Sequence, residues 1–161
     1  MAKRLRAVTL AVLLMLTACQ QQPQDDTEVT APRPAMEVRH DIEPLALAFP
    51  ALGDPVSASW IEWDNSAASE EPSRTKVVWI DAVVEIAPET MTDLVEDNFT
   101  ELAGQRPAVQ KVLEPFLPPG PFRTGVDLNI IFGANQASTR AFLDEQHNTV
   151  VLQSYRMDRL P

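Results

Sequence analysis

The sequence predicts an α+β domain, a mostly antiparallel sheet of about five strands in the order ββααβββ with two helices on one face. Three observations carry that expectation. Residues 76–87 (KVVWIDAVVEIA) put an apolar side chain at every even position from Val78 to Ile86, the period of a strand with one core face. After Pro88, two segments space their apolar residues at helical intervals instead. The C-terminal quarter then returns to short apolar runs around the polar stretch 144–148 (DEQHN), as a hairpin requires.

Taken in order, Leu45–Phe49 is a short apolar approach to the core, stopped by Pro50 and the turn Gly53-Asp54-Pro55. Residues 56–64 (VSASWIEWD) alternate well enough for a first strand. The polar run 65–74 (NSAASEEPSR) reads as a loop, so residues 76–87 should return as the antiparallel partner. The odd positions of that second strand (Val77, Trp79, Asp81, Val83, Glu85) are mixed, which predicts a half-covered outer face. Pro88 suits the first turn of a helix, and Glu89 suits its dipole. Met91, Leu94, Val95, Phe99 and Leu102 form its apolar stripe, with Gly104 as the C-terminal cap. Pro107 opens a second short helix carrying Val109, Val112, Leu113, Phe116 and Leu117, stopped by Pro118-Pro119-Gly120-Pro121. Residues 126–132 (VDLNIIF) read as a third strand. Residues 137–147 suit either a helix or a strand and turn, and a hairpin of 138–143 with 149–156 is the preferred reading.

Composition bounds the function. The chain has 161 residues, 45% hydrophobic and 22% charged, ordinary values for a chain that buries one core. Fourteen prolines against five glycines predict stiff connections and sharply stopped elements. The net charge is −10. The first eighteen residues hold Lys3, Arg4 and Arg6 and no acid, so residues 19–161 carry ten bases against 23 acids, a net of −13. Such a surface repels phosphate backbones and anionic headgroups, and nucleic acid is not an expected partner.

The start of the chain reads MAKRLRAVTLAVLLMLTAC. Three bases precede an uncharged, mostly apolar run from Ala7 to Ala18. As a helix that run spans roughly 18 Å, short of the ~30 Å hydrocarbon core. Bases, a short apolar run and then small residues is the order of a secretory signal. Leu16-Thr17-Ala18-Cys19 resembles the lipobox of bacterial lipoprotein precursors. The resemblance covers about nineteen residues. It implies a diacylglyceryl group on the Cys19 thiol, cleavage between Ala18 and Cys19, and in many bacteria acylation of the new amine. Cys19 is the only cysteine, so no internal disulfide is available. Each buried methylene contributes ~0.8 kcal/mol, so two or three acyl chains anchor a protein without basic residues. Arg4 and Arg6 flank Leu5, so there is no twin-arginine pair. Gln20 follows the cysteine, and in a two-membrane cell the family's sorting behaviour implies the outer membrane. Residues 20–36 (QQQPQDDTEVTAPRPAM) have little to bury and should form a disordered tether. Pro23, Pro32 and Pro34 stiffen it, giving a reach of at most roughly 50 Å. The expected organisation is thus a signal at 1–18, a lipidated cysteine and tether at 19–36, and one α+β domain at 37–161.

No catalytic constellation stands out, and no cofactor or metal is expected. His40 beside Asp41 and Glu43, and His147 in the predicted turn, lack the spacing of a zinc site. No Gly-x-Ser-x-Gly elbow surrounds any of Ser57, Ser59, Ser66, Ser69, Ser73, Ser138 or Ser154. There is no calcium-loop or glycine-rich phosphate motif. Paired carboxylates are the least excluded apparatus: Asp81 with Glu85, or Glu62 with Asp64, each pair on one strand face. Their ordinary reading is solvated sheet, as Asp93, Glu96, Asp97 and Glu101 are the polar face of a helix. Asn98-Phe99-Thr100 matches a glycosylation sequon inside a predicted helix and is discounted. Trp60 and Trp63 should face opposite ways, so at most one joins Trp79 on the outer face. Two or more of the three are expected in the core.

The whole chain also resembles small envelope lipoproteins of bacteria, a resemblance that implies no particular activity. The expected role is a non-enzymatic binding or accessory module, held outside the cytoplasm by lipid on Cys19 and contacting another envelope protein or a wall polymer. The alternatives are a hydrolase of envelope glycans using Asp81 or Glu85, and a structural surface component.

Overall fold

The structure, a computed structural model, describes residues 36–64 and 75–159. The signal segment, Ala18, Cys19, most of the tether and the loop 65–74 lie outside the described residues. The elements are α1 (Glu43–Ala48), β1 (Ser57–Asp64), β2 (Thr75–Glu85), α2 (Pro88–Glu96), β3 (Glu101–Leu102), β4 (Arg123–Thr124), α3 (Val126–Gly133), β5 (Ser138–Asp144) and β6 (Thr149–Arg159). Short 3-10 turns cover Pro50–Leu52, Lys111–Phe116 and Glu145–His147. One six-stranded sheet runs in the order β1-β2-β6-β5-β4-β3, with every neighbouring pair antiparallel. The class is α+β, with six strands where about five are predicted.

Both long hairpins form as read. Trp60 lies opposite Ala82, and Ala82 opposite Leu152, which lies opposite Ala141. This row belongs to the main core. Ala58, Val78, Ile80, Val84, Val150 and Leu143 extend it, all at most 6% exposed. Leu45 of α1, Met91 and Leu94 of α2, and Leu128 and Phe132 of α3 cover that face in one cluster. A fully buried side chain of this size contributes about 1.5–3 kcal/mol, so this layer dominates the stability. At the far end of the same face the core gives way to ion pairs: Arg156 with Glu62 and Asp158, and Lys76 with Asp64.

Four expectations need correction. Residues 126–132 are helix α3, not a strand; Leu128 and Phe132 sit one turn apart and bury, while Val126 and Ile130 are exposed. Helix α2 stops at Glu96, because Asn98 bonds back to the Leu94 carbonyl and Arg123 holds Thr100 just before β3. Phe99 and Leu102 are therefore exposed rather than core. The second predicted helix is only the 3-10 turn Lys111–Phe116, which contains Pro115. Leu45–Phe49 is not a mere approach, since Glu43–Ala48 is helical with Pro44 in its first turn.

The second face of the sheet is half covered, as the mixed odd positions of β2 imply. A strap of residues 103–122 crosses it. Val83, Val151, Phe142 and Phe122 form a small core there, with Ala103, Val109 and Leu117 packed against it. Gly120 turns the strap at φ +82°, a left-handed conformation open to glycine at little cost. The strap therefore divides this face into a covered end and an open end.

Candidate functional site

The open end is built by strand register. Trp63 lies opposite Trp79, Trp79 opposite Tyr155, and Tyr155 opposite Ser138. Beyond that row, Val77 lies opposite Met157. The indoles of Trp63 and Trp79 stack with centroids 6.1 Å apart and planes 16° from parallel. Such a pair contributes about 0.5–1.5 kcal/mol beyond its buried area. Trp63, Trp79 and Tyr155 are half-buried, and Met157 is 58% exposed. Large apolar side chains from three strands thus lie in one strip, with the exposed Arg140 one row away on β5.

The row beside the strip fixes the edge of the strap. Ile61, Asp81, Gln153 and Arg140 align across the four strands. The Gln110 amide donates to Asp81 Oδ2 at 2.9 Å, and Gln153 Nε2 donates to the Ala108 carbonyl at 2.7 Å. Two polar side chains of the sheet therefore grip residues 108–110 of the strap. Burial pushes the Asp81 carboxyl up to about 6, against the opposing pull of the Gln110 amide.

The other candidates fall into structural roles. Trp60 is 2% exposed; its indole N–H donates to the Asp41 carbonyl at 2.9 Å, and the Arg39 guanidinium sits 3.9 Å above its ring. One tryptophan is core, not two or more, because β1 presents Trp60 and Trp63 to opposite faces and the strap stops short of the second. His40 Nδ1 bonds the Ala58 carbonyl at 2.9 Å, and its ring meets Phe116 edge-on. Asp41 pairs with Arg39, whose hydrogen bond holds the carboxyl below its ordinary range. Glu85 is exposed and accepts from the Ser57 hydroxyl. Four residues of strand place it roughly 13 Å along β2 from Asp81. Two-carboxylate glycosidases work at roughly 5–10 Å, and Asp81 faces the strap rather than a cleft. Glu62 and Asp64 are held in the ion pairs already described.

The hairpin turn carries an arrangement that the sequence reading missed. Asp144, fully buried, accepts from the backbone of Gln146, His147 and Gly120 and bonds His147 Nδ1 at 2.9 Å. The spacing of three residues was the available signal. A carboxylate-oriented imidazole resembles part of a catalytic relay, but Asp144 here caps a turn and ties the strap to the hairpin.

Among the described residues, no group of three or more His, Cys, Asp or Glu side chains is placed to hold a metal ion, and no helix is long and apolar enough to cross a membrane. Among the described residues, two hollows of about 310 and 340 Å³ lie along the strap around Arg106 and are open to solvent. No protein-family model, no curated protein and no solved structure matches the chain.

Proposed function

We propose that this chain is a membrane-tethered docking protein outside the cytoplasm. Lipid on Cys19 anchors it, residues 20–36 act as the tether, and the domain binds another envelope protein through the open end of its sheet. The observation that carries the binding role is the strip of Trp63, Trp79, Tyr155 and Met157 beside the strap. A partly exposed aromatic strip on a sheet is the composition of an interface centre, where tryptophan and tyrosine dominate binding energy. The hollows on the same face are shallow, which supports a protein surface over an enclosed small molecule. The separation of Asp81 from Glu85 speaks against the glycan hydrolase reading. The anchor rests on the residues Leu16-Thr17-Ala18-Cys19 and on the acidic surface, which needs an anchor independent of charge.

The test is crosslinking in intact cells with the full chain. The wild type and the Glu89→Ala control, altered on the outer face of α2, should enrich the same envelope protein. Trp79→Ala should lose it, and Cys19→Ala should lose it together with the membrane fraction. Equal enrichment by Trp79→Ala, or selective retention of wall glycan instead of protein, would overturn the docking role.

A further inference from the structure

A second apolar surface stands apart from the aromatic strip. Phe99 is 77% exposed, the highest value among the exposed large apolar side chains of the described residues. It is not on a loose end. Asn98 Nδ2 donates to the Leu94 carbonyl at 2.9 Å, and the Phe99 amide donates to Asp127 Oδ2 at 3.3 Å. Arg123 reaches both the hydroxyl and the carbonyl of the buried Thr100, at 2.8 and 2.9 Å. The Phe99 carbonyl lies 2.3 Å from where a Cβ on Gly125 would stand, so only glycine permits this close approach. The turn is thus fixed on both sides with its phenyl ring outward.

Beside it, Val126 and Ile130 lie one turn apart on α3 and are 72% and 64% exposed, while Leu128 and Phe132 of the same helix bury. Two segments distant in sequence are therefore brought together to present three large apolar side chains. The surroundings are acidic. Glu96, Asp97 and Glu101 are exposed around Phe99, Asp127 bonds its amide, and Arg123 is engaged by Thr100 and Glu145. A second copy would bring the same acidic rim, and an anionic bilayer would repel it. An apolar pocket rimmed by lysine and arginine complements the surface in shape and in charge.

We propose that Phe99, with Val126 and Ile130, is a second docking surface that inserts into a base-rimmed apolar pocket of a partner protein. It is independent of the aromatic strip, because α3 covers the opposite face of the sheet.

The test places p-benzoylphenylalanine at position 99, at position 130 and, as a control, at the exposed position 89 of the full chain, in the cells that make it. Irradiation should join positions 99 and 130, but not 89, to one protein, at a peptide lining an apolar pocket with lysine or arginine at its rim. The purified pair should bind at least tenfold more weakly with Phe99→Ser, and more weakly with the double change Asp97→Lys and Glu101→Lys. Circular dichroism of Phe99→Ser should show unchanged thermal stability, since the ring is already in water. The adduct at 99 should survive Trp79→Ala, which separates this surface from the sheet strip. No adduct above that at position 89, an adduct to lipid or to a second copy of the chain, or unchanged binding by Phe99→Ser would overturn the proposal.

Discussion

Asp81 shows how one residue links the sheet to its cover. Its carboxyl sits in the row beside Trp79 and accepts the Gln110 amide, yet burial raises it to about 6 from the ordinary 3.8. The folded state therefore holds this proton more tightly than the unfolded chain does. Stability from this group is fully present below about pH 4 and is lost as pH rises through about 6. A difference of that size corresponds to at most about 3 kcal/mol. Asp81→Asn keeps an oxygen to accept from Gln110 and removes the charge. The variant should melt higher than the wild type at pH 7.5 and alike at pH 4, measured by circular dichroism; an equal difference at both values would show that charge is not the cause. The alternation of residues 76–87 made the position of Asp81 legible, since an acid among valines on an outer face is conspicuous. Its partner was not legible, because no local pattern announces that residues 108–110 will cross that row. Trp60 and Trp63 were separable from each other by parity alone, but that Trp63 joins Trp79, with Tyr155 and Met157, followed only once β1 and β6 were placed beside β2.

At the scale of elements, the sequence was most informative where one period had no rival. The β1–β2 hairpin alternates over long runs and folds as read, whereas β5, where a helix was the rival reading, was settled only by its pairing with β6. Residues 126–132 were misread as a strand because Leu128 and Phe132 satisfy both a two-residue and a four-residue spacing. The helix wins because Arg123 and Thr124 take the place beside β5, and Asn129 on α3 accepts the Ala141 amide. Helix α2 was read too long because Phe99 and Leu102 continue its stripe. Asp97-Asn98 and the β-branched Thr100 were the contrary signals, residues that favour caps and turns over helix interiors. The β5–β6 turn has its own expectation. Asp144→Ala would strand the amides of Gly120, Gln146 and His147, whereas His147→Ala removes one half-exposed partner. Urea unfolding should give a loss of about 3 kcal/mol for the first and about 1 kcal/mol or less for the second. Equal losses would mean that the imidazole, not the capped backbone, carries the turn.

For the whole molecule, address and domain rest on different parts of the chain. The domain's fold follows from residues whose burial and pairing are described; the address follows from the first nineteen residues and from a charge balance of −13 in the remainder. An acidic domain gains nothing from headgroup attraction, so the anchor we propose is lipid on Cys19. On that proposal, the lipid would keep both binding surfaces, the strip around Trp79 and the ring of Phe99, close to their partners. The most direct measurement is the mass of the N-terminal peptide from the protein extracted from its native membranes. The account predicts a chain starting at Cys19 with a diacylglyceryl group on sulfur. A bare Cys19 thiol, or residues 1–18 still joined to it in the mature material, would contradict it.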